Sequence, residues 1–261
     1  MRTFGAFVQG MREHKKISRE QFARLVQFSQ HTVASIELGR RMPDKAFVEL
    51  AEQALDNTGA LRKAFQYLNR NPGLAAWFKE WARREKTAVS LSTYECRTVP
   101  GLLQSEPYAR ALFQNAVPPL SDDQLQIQIS ARLERRDLLR DRPNVPFSFI
   151  VSEYVFQQRI GGTEVTRGML DHVLAGAEMR NVTLHVMPTD CELHACLEGP
   201  LALLEGPDGK RFAYSEGQKN GRLISDLKEV IPLQQRYDTL RSQALTPGES
   251  RVLLERIRGA L

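Results

Sequence analysis

The sequence predicts two domains: a small all-α domain over residues 1–70, and an α+β domain over residues 74–261 in which helices cover a small sheet. Three observations predict this arrangement. The first 56 residues divide into four short helices by the spacing of their apolar side chains. A polar, turn-forming run at Asn69–Gly73 then interrupts the helical pattern. Beyond it, helical and strand-like patterns alternate.

The composition is that of an ordinary globular protein. Hydrophobic residues make up 42% of the chain and charged residues 26%, which argues against a disordered protein. No apolar run reaches the roughly 18 residues that a membrane helix needs, and the first residues lack the features of a secretory signal. Three cysteines do not suggest a disulfide framework and fit a reducing compartment. We therefore expect a cytoplasmic protein without a membrane span.

The net charge of +5 is unevenly distributed along the chain. Residues 1–72 hold 12 Lys and Arg against 7 Asp and Glu, whereas the remaining residues hold 24 of each sign. The basic excess therefore belongs to the small domain, which favours contact with a polyanion. An excess of this size also arises by chance, so the charge alone leaves both explanations open.

The first two helices follow from apolar spacing and a capping signal. Phe4, Val8 and Met11 recur at helical intervals and predict one apolar stripe. Ser18 opens the second helix, and Gln21 three residues later completes a capping box.

The third and fourth helices follow after short turns. Gln27–Phe28 is a very short connection, and Ser29 caps a third helix that runs from Gln30 to Leu38. Gly39 ends this helix because glycine accepts a left-handed backbone. Pro43–Asp44 then starts the fourth helix.

The third helix has two different faces. Val33 and Ile36 point into the core on a wheel of 3.6 residues per turn. The other face carries small and polar side chains, namely Gln30, His31, Ala34 and Ser35. Polar side chains at the N-terminal end of a helix are what reading the DNA major groove requires. In an isolated helix, a solvated amphipathic face is the commoner explanation.

The context of this helix decides between the two. Residues 17–55 resemble the helix-turn-helix of phage repressors, the Cro/C1-type or Xre family. The matching features are Ser18 with Glu20, Phe22–Ala23, Ser29 with Thr32–Val33, Ile36–Glu37, Gly39, Arg40–Arg41 and Pro43. The resemblance implies an all-α lambda-repressor-like helix-turn-helix domain with Gln30, His31 and Ser35 at base-reading positions. It also implies that Arg19 contacts a phosphate.

The sequence departs from the family pattern at two positions. Gln27 replaces the usual turn glycine, so this residue must accept a left-handed backbone or the turn must differ. Leu38 replaces a polar residue before the glycine, which puts one phosphate contact in doubt. Four further basic residues are phosphate-binding candidates or plain solvated cations: Lys15, Lys16, Arg40 and Arg41. Since one such module buries little surface, we expect a homodimer on double-stranded DNA.

The second domain combines predicted helices and strands. Ser121 and Gln124 form a capping box before a long helix, and a closing helix follows Thr246–Ser250. Short strands are predicted at Phe147–Val151, Val182–Met187, Leu201–Leu204 and Phe212–Tyr214, and helices at 164–178 and 221–242. The Arg132–Arg142 stretch mixes both charges, which favours a solvated, self-paired helix face over a second nucleic-acid patch. Trp77, Phe78 and Trp81 are expected in the core or at an inter-domain seam rather than as a base-stacking platform.

No catalytic motif is present in the sequence. Phosphate-binding glycine loops, a G-x-S-x-G elbow and an H-E-x-x-H helix are all missing. The cluster of metal-capable residues is Cys191, His194 and Cys196 with His185 nearby. Its spacing matches no standard zinc pattern, which favours a packing role. Glu153 and Glu198 have no visible partner for a catalytic pair. We therefore predict no enzymatic activity, no cofactor and no metal.

The second domain also resembles a known group. Its matching segments are 99–112, 152–162, 181–188 and 246–254, and the resemblance spans most of residues 74–258. They are similar to the C-terminal domain of actinomycete antitoxin-like transcriptional regulators. The resemblance implies a partner-binding or effector-sensing domain that binds a small partner protein. The apolar residues around Pro100–Gly101 either line a groove for that partner or pack the core, and burial is the default. They are Leu102, Leu103, Tyr108 and Leu112.

Three functions are compatible with these features. The first is a dimeric, site-specific repressor or activator whose C-terminal domain binds a small protein. The second is an antitoxin-like module that sequesters a small partner, with DNA binding secondary and autoregulatory. The third, an enzyme fused to a DNA-targeting domain, is disfavoured by the missing motifs.

Overall fold

The structure is a computed structural model that describes residues 2–56, 58–66, 78–217 and 221–261, with Arg2 and Gln66 described in their backbone alone. The chain divides into two compact units, Met1–Arg70 and Asn71–Leu261. The predicted boundary at Asn69–Gly73 and the predicted core residue Trp77 lie outside the described residues.

In its described part, the first unit consists of helices and the turns that join them. The helices are α1 (Arg2–His14), α2 (Arg19–Leu25), α3 (Gln30–Glu37), α4 (Lys45–Ala54) and α5 (Ala60–Gln66). Their apolar stripes meet in one core around Phe22, Val33 and Phe47, all fully buried. The four helices predicted for the first 56 residues are thus confirmed.

The sequence did not predict α5, whose first residues lie against a buried carboxylate of α4. Glu52 of α4 is fully buried, and its two carboxylate oxygens accept the N–H groups of Gly59 at 2.7 Å and Arg62 at 2.8 Å. These N–H groups have no partner within the helix, so Glu52 satisfies them and favours the start of α5 electrostatically. Leu61 and Phe65 of α5 then complete the core.

The second unit contains a six-stranded sheet and eight α-helices in its described part. The strands are β1 (Ser90–Glu95), β2 (Phe147–Ser152), β3 (Val182–Met187), β4 (Leu201–Glu205), β5 (Arg211–Glu216) and β6 (Gly221–Ile224). The helices are α6 (Lys79–Glu85), α7 (Glu106–Gln114), α8 (Asp122–Arg136), α9 (Leu138–Asp141), α10 (Glu153–Gln157), α11 (Thr163–Ala177), α12 (Leu227–Gln243) and α13 (Pro247–Gly259). A short 3-10 helix spans Gly101–Leu103.

The sheet is mixed, with strand order β3-β2-β1-β4-β5-β6. β1, β2 and β3 are parallel neighbours, joined by helical crossovers as parallel strands require. β4 pairs antiparallel with β1 and continues into an antiparallel meander of β4, β5 and β6. β1 is therefore a central strand that pairs on both sides.

Helices cover both faces of this sheet. On one face, Phe149 and Leu184 pack with Leu170 of α11 and Leu254 of α13. On the other, Tyr94 and other strand residues pack with α12, whose buried members are Val230, Tyr237 and Leu240. Among the described residues, no helix combines the length and the apolar character needed to span a membrane.

The predicted elements of this unit are largely present. The four predicted strands, the helix at 164–178 and the capping box at Ser121 are confirmed. The predicted closing helix is present as α13, although it begins at Pro247, inside the run that it was expected to follow. The helix predicted at 221–242 is wrong at its start, because Gly221–Ile224 forms β6 and the helix begins at Leu227. The sheet is larger than predicted, since β1 and β6 were not foreseen.

The prediction for Arg132–Arg142 is also wrong in part. Arg140 pairs with Asp137 within the segment, as expected. Arg135, however, is buried and pairs with Glu85 of α6. Arg132 donates a hydrogen bond to Gln104 at 2.7 Å. The sequence showed both charges but not that α8 turns these two guanidinium groups towards the protein interior.

Candidate nucleic-acid interface

The pair α2 and α3 is positioned by its caps and by one left-handed residue. The Ser18 side chain accepts from the Gln21 N–H, and the Gln21 side chain accepts from the Ser18 N–H. Gln27 has φ of 57°, so it adopts the left-handed backbone that its position requires. Ser29 then caps α3 by accepting from the Thr32 N–H at 3.0 Å. The departure at Gln27 therefore leaves the turn intact.

The C-terminal end of α3 is closed by a Schellman motif. Gly39 has φ of 67°, its N–H bonds the Ile36 carbonyl at 2.9 Å, and the Arg40 N–H bonds the Ser35 carbonyl at 2.8 Å. This arrangement fixes where α3 ends and directs the chain towards Arg40 and Arg41.

A buried carboxylate anchors α3 to the two preceding helices. Glu37 accepts from Arg12 Nε of α1 at 2.6 Å and from Arg19 Nε of α2 at 2.9 Å, and its side chain has no exposed area. The hydrogen bond with Glu37 raises the pKa of Arg12. One carboxylate thus holds three helices in a fixed relation, which sets the direction of the exposed face of α3.

The crossing of α1 and α3 also depends on Gly5. A Cβ at this position would lie 2.3 Å from the Glu37 carbonyl oxygen and 2.4 Å from that of Ile36. Because both contacts are with backbone atoms, no side-chain rotation relieves them. Glycine therefore permits α1 to lie directly against the end of α3.

The predicted base-reading residues share one face of α3. Gln30 and His31 are exposed and Ser35 is partly exposed, whereas Val33 and Ile36 are buried on the opposite face. Within the described ranges, the side chains of Gln30, His31 and Ser35 make no hydrogen bond to the protein. Their hydrogen-bonding groups are therefore available to an external partner.

The predicted phosphate-binding residues differ in the ion pairs and hydrogen bonds that they already form within the protein. Lys15 forms an ion pair with Asp56 at 2.7 Å and bonds the Ala54 carbonyl at 3.1 Å. Arg19 uses its Nε for Glu37. In the described part of the chain, the exposed side chains of Lys16 and Arg40 form no hydrogen bond or ion pair.

Arg41 lies close to the start of α3. Its Nη1 donates to Thr32 Oγ1 at 3.4 Å, and Thr32 Oγ1 also accepts from the Ser29 hydroxyl at 2.9 Å. The exposed Arg41 side chain is thus held next to the N-terminus of the predicted reading helix.

Sequence reasoning missed the roles of Arg12, Glu37 and Gly5. The sequence did carry a signal for Glu37. This residue lies four positions after the core-facing Val33 and so shares its face of the helix. A charged residue at such a position needs a buried partner of opposite charge. The partner itself, Arg12, is 25 residues away and has no local signature.

The carboxylates and apolar residues that the sequence singled out in the second unit have structural roles. Glu153 accepts from the Thr189 N–H at 3.0 Å, and Glu198 forms an ion pair with Arg236. Leu102, Leu103 and Tyr108 are buried in the core and Leu112 packs partly against it, which confirms the prediction that they pack the core.

The cysteine segment lies between β3 and β4. Cys196 is buried, its N–H bonds His194 Nδ1 at 3.2 Å, and the His194 ring lies against Tyr94. Burial raises the pKa of the Cys196 thiol to about 11, which disfavours the thiolate that binds metals. His185 Nδ1 instead contacts the Leu245 carbonyl at 2.8 Å. In the residues that the structure describes, no cluster of three His, Cys, Asp or Glu side chains is arranged to hold a metal ion.

Two family models match the chain. A helix-turn-helix domain model matches residues 3–65, which contain α1 to α5 apart from terminal residues. A model described as a domain of unknown function, DUF5753, matches residues 78–256. No curated protein and no solved structure matches the chain. The first unit is thus a helix-turn-helix domain, followed by a second domain with a mixed six-stranded sheet and helices.

Proposed function

Since the chain belongs to the DUF5753 family and carries a helix-turn-helix domain in residues 3–65, we propose that it is a sequence-specific DNA-binding transcriptional regulator. The observation that carries this proposal is the exposed N-terminal face of α3. Gln30 and His31 present unused hydrogen-bonding groups there, on a helix that its caps and Glu37 hold in place.

Each residue on this face has a role in the proposal. The Gln30 amide is suited to bidentate pairing with the N6 and N7 edge of adenine. His31 and Ser35 lie within the first two turns and reach neighbouring bases. Ala34 is small enough for the backbone of α3 to come close to the floor of the major groove.

The proposed phosphate contacts are basic residues of the first unit. Lys16, Arg40 and Arg41 are the strongest candidates because their charges are exposed. Arg19 keeps its terminal amino groups for a phosphate, since Glu37 accepts only from its Nε. Lys15 is the weakest candidate because it already pairs with Asp56.

One helix-turn-helix covers a single half-site, so we expect a homodimer that binds two half-sites about one helical turn apart. We propose that it is a Cro/C1-type, Xre-family repressor that works in the cytoplasm. We also propose that its second unit binds a small partner protein, as in antitoxin-like regulators, and has no enzymatic activity. The partners already found for Glu153 and Glu198 support the last point.

Binding to sheared genomic DNA tests the proposal directly. Full-length protein, and a variant with Lys16→Ala and Arg40→Ala, are equilibrated with the DNA at several salt concentrations. We expect enrichment of particular fragments and a log–log salt slope that is steep for the wild type and shallower by about 2 for the variant. Enrichment of no fragment above the input, at any salt concentration, would contradict the proposal.

A further inference from the structure

A cavity in the second unit lies between one face of the sheet and the helices above it. Its volume is about 570 Å³, which is in the range of small-molecule sites in proteins. Four strand residues form its floor: Phe149, Thr93, Ala202 and Tyr214 lie side by side across β2, β1, β4 and β5. Residues of α6, the 3-10 helix, α7 and α8 form its walls.

The cavity is lined by equal numbers of acidic and basic residues. They are Glu85, Glu95, Glu216, Arg97, Arg132 and Arg135. Two pairs neutralise each other: Glu85 binds Arg135 through two hydrogen bonds at 2.8 and 3.0 Å, and Arg97 lies 3.7 Å from Glu216. Glu95 and Arg132 form no ion pair with any described residue. One anion, Glu95, and one cation, Arg132, therefore remain without an ion pair.

Three polar atoms in this cavity are buried without a hydrogen-bond partner in the described part of the chain. They are Oε2 of Glu95, Nε of Arg132 and the hydroxyl of Tyr214. Buried polar groups nearly always have partners, because an unpaired group loses its hydration without compensation. An acceptor, a donor and a hydroxyl that does either thus line one space.

The Arg132 guanidinium is held at the cavity wall rather than free to leave it. Its Nη1 donates to Gln104 Oε1 at 2.7 Å, and Gln104 is itself fixed by a 2.6 Å bond to the Val99 carbonyl. A Cβ at Gly101 would lie 3.0 Å from Arg132 Nη1, so glycine leaves room for the guanidinium. Its Cζ also lies over the Phe113 ring, at 5.1 Å from the ring centroid.

We propose that this cavity binds a small zwitterion of amino-acid type. The amine of the ligand pairs with Glu95, its carboxylate with Arg132 and the Tyr214 hydroxyl, and its apolar part packs against Phe149 and Trp81. A purely anionic or purely cationic ligand would leave one of the two unpaired charges unsatisfied. This inference concerns the second unit alone and stands whether or not the first unit binds DNA.

The ionisation of the two charged groups supports this assignment. Burial raises the pKa of Glu95 to about 7, against an attraction from Arg97 and Arg132 and a repulsion from Glu216. Burial also lowers the pKa of Arg132 to about 10, with the neighbouring Arg135 contributing, against an attraction from Glu216, Glu85 and Glu95. At both groups burial outweighs the nearby opposite charges, so each charge is costly without a directly bonded counter-ion, and a zwitterion supplies one to each.

Calorimetric titration of the full chain with the common amino acids tests the proposal. We expect at least one zwitterion to bind, and its N-acetyl and carboxamide derivatives to bind at least tenfold more weakly, since each lacks one charge. Glu95→Gln and Arg132→Met are each expected to weaken binding at least tenfold. Glu205→Gln, on β4 but outside the cavity, is the matched control and is expected to bind normally. If no zwitterion binds the wild-type chain, or if both derivatives bind as well as the parent, the proposal is wrong.

A second measurement needs no ligand. Glu95→Gln removes an unpaired buried charge, so it is expected to raise the melting temperature of the second unit, followed by Trp fluorescence. Because the pKa is raised in the folded state, wild-type stability falls as the pH rises from the ordinary range of a glutamate through about 7. The rise in melting temperature caused by Glu95→Gln is therefore larger at pH 8 than at pH 5. A lower melting temperature at pH 8 would show that Glu95 is a structural residue and would overturn the proposal.

Discussion

Glu37 is a charged residue at a core-facing position, and it determines how the proposed reading helix is held. Its carboxylate is completely buried between the guanidinium groups of Arg12 and Arg19. Breaking a buried ion pair by removing one partner leaves the other charge unpaired. The orientation of α3 therefore depends on one anion, while the proposed base-reading residues Gln30, His31 and Ser35 form no hydrogen bond with it.

At the residue scale, Glu37→Gln is expected to lower the free energy of local opening of α3 by about 3 kcal/mol. Amide hydrogen exchange of the full chain measures this value helix by helix. Glu20→Gln is the matched control, because Glu20 pairs with Arg24 on the exposed surface. It is expected to cost less than about 0.5 kcal/mol. Equal costs for the two variants would show that Glu37 does not anchor the helices.

Individual side chains were predictable from the sequence where their partners are close in the chain. The capping pairs Ser18–Gln21 and Ser121–Gln124 are local signals, and both are present. The bonds of Glu37 and Arg135 span 25 and 50 residues. Such long-range pairs have no local pattern, so Arg135 was expected on a solvated face although it is buried.

At the scale of elements, strong periodicity or a capping signal made a helix predictable. The strands β1 and β6 and the helices α5, α7 and α10 were not predicted. β1 carries Ser90, Ser92 and Glu95, and so does not show the apolar character typical of a central strand. α5 begins at Ala60, and Glu52 of α4 accepts the N–H groups of Gly59 and Arg62 at its start. In both cases tertiary contacts, rather than local preference, determine the element.

The crossing of α1 and α3 yields a prediction at this scale. Gly5→Ala is expected to destabilise the packing of the two helices by about 1–3 kcal/mol, because its Cβ would collide with backbone oxygens of α3. Gly10→Ala, in the same helix but with no atom within 4 Å of its Cβ, is expected to stabilise α1 by up to about 1 kcal/mol. Hydrogen exchange of α1 and α3 measures both. A neutral Gly5→Ala would mean that the helices cross at a greater distance.

At the scale of the whole molecule, the two units differ in charge and in architecture. The small unit holds the entire basic excess of the chain, whereas the larger unit is neutral. The larger unit contains a cavity with unpaired polar groups, and the small unit exposes a polar helix face. This division of features fits a protein that contacts DNA through one unit and receives a signal through the other.

The measurement that tests the central claim most directly is genome-wide immunoprecipitation of the tagged full chain beside a Gln30→Ala/His31→Ala variant. Gln53→Ala, an exposed glutamine on α4, is the matched control. We expect sharp peaks that share a repeated half-site in the wild type and in the control, and their loss in the double variant at equal protein level. Peaks that persist unchanged in the double variant would contradict the assignment of α3 as the reading helix.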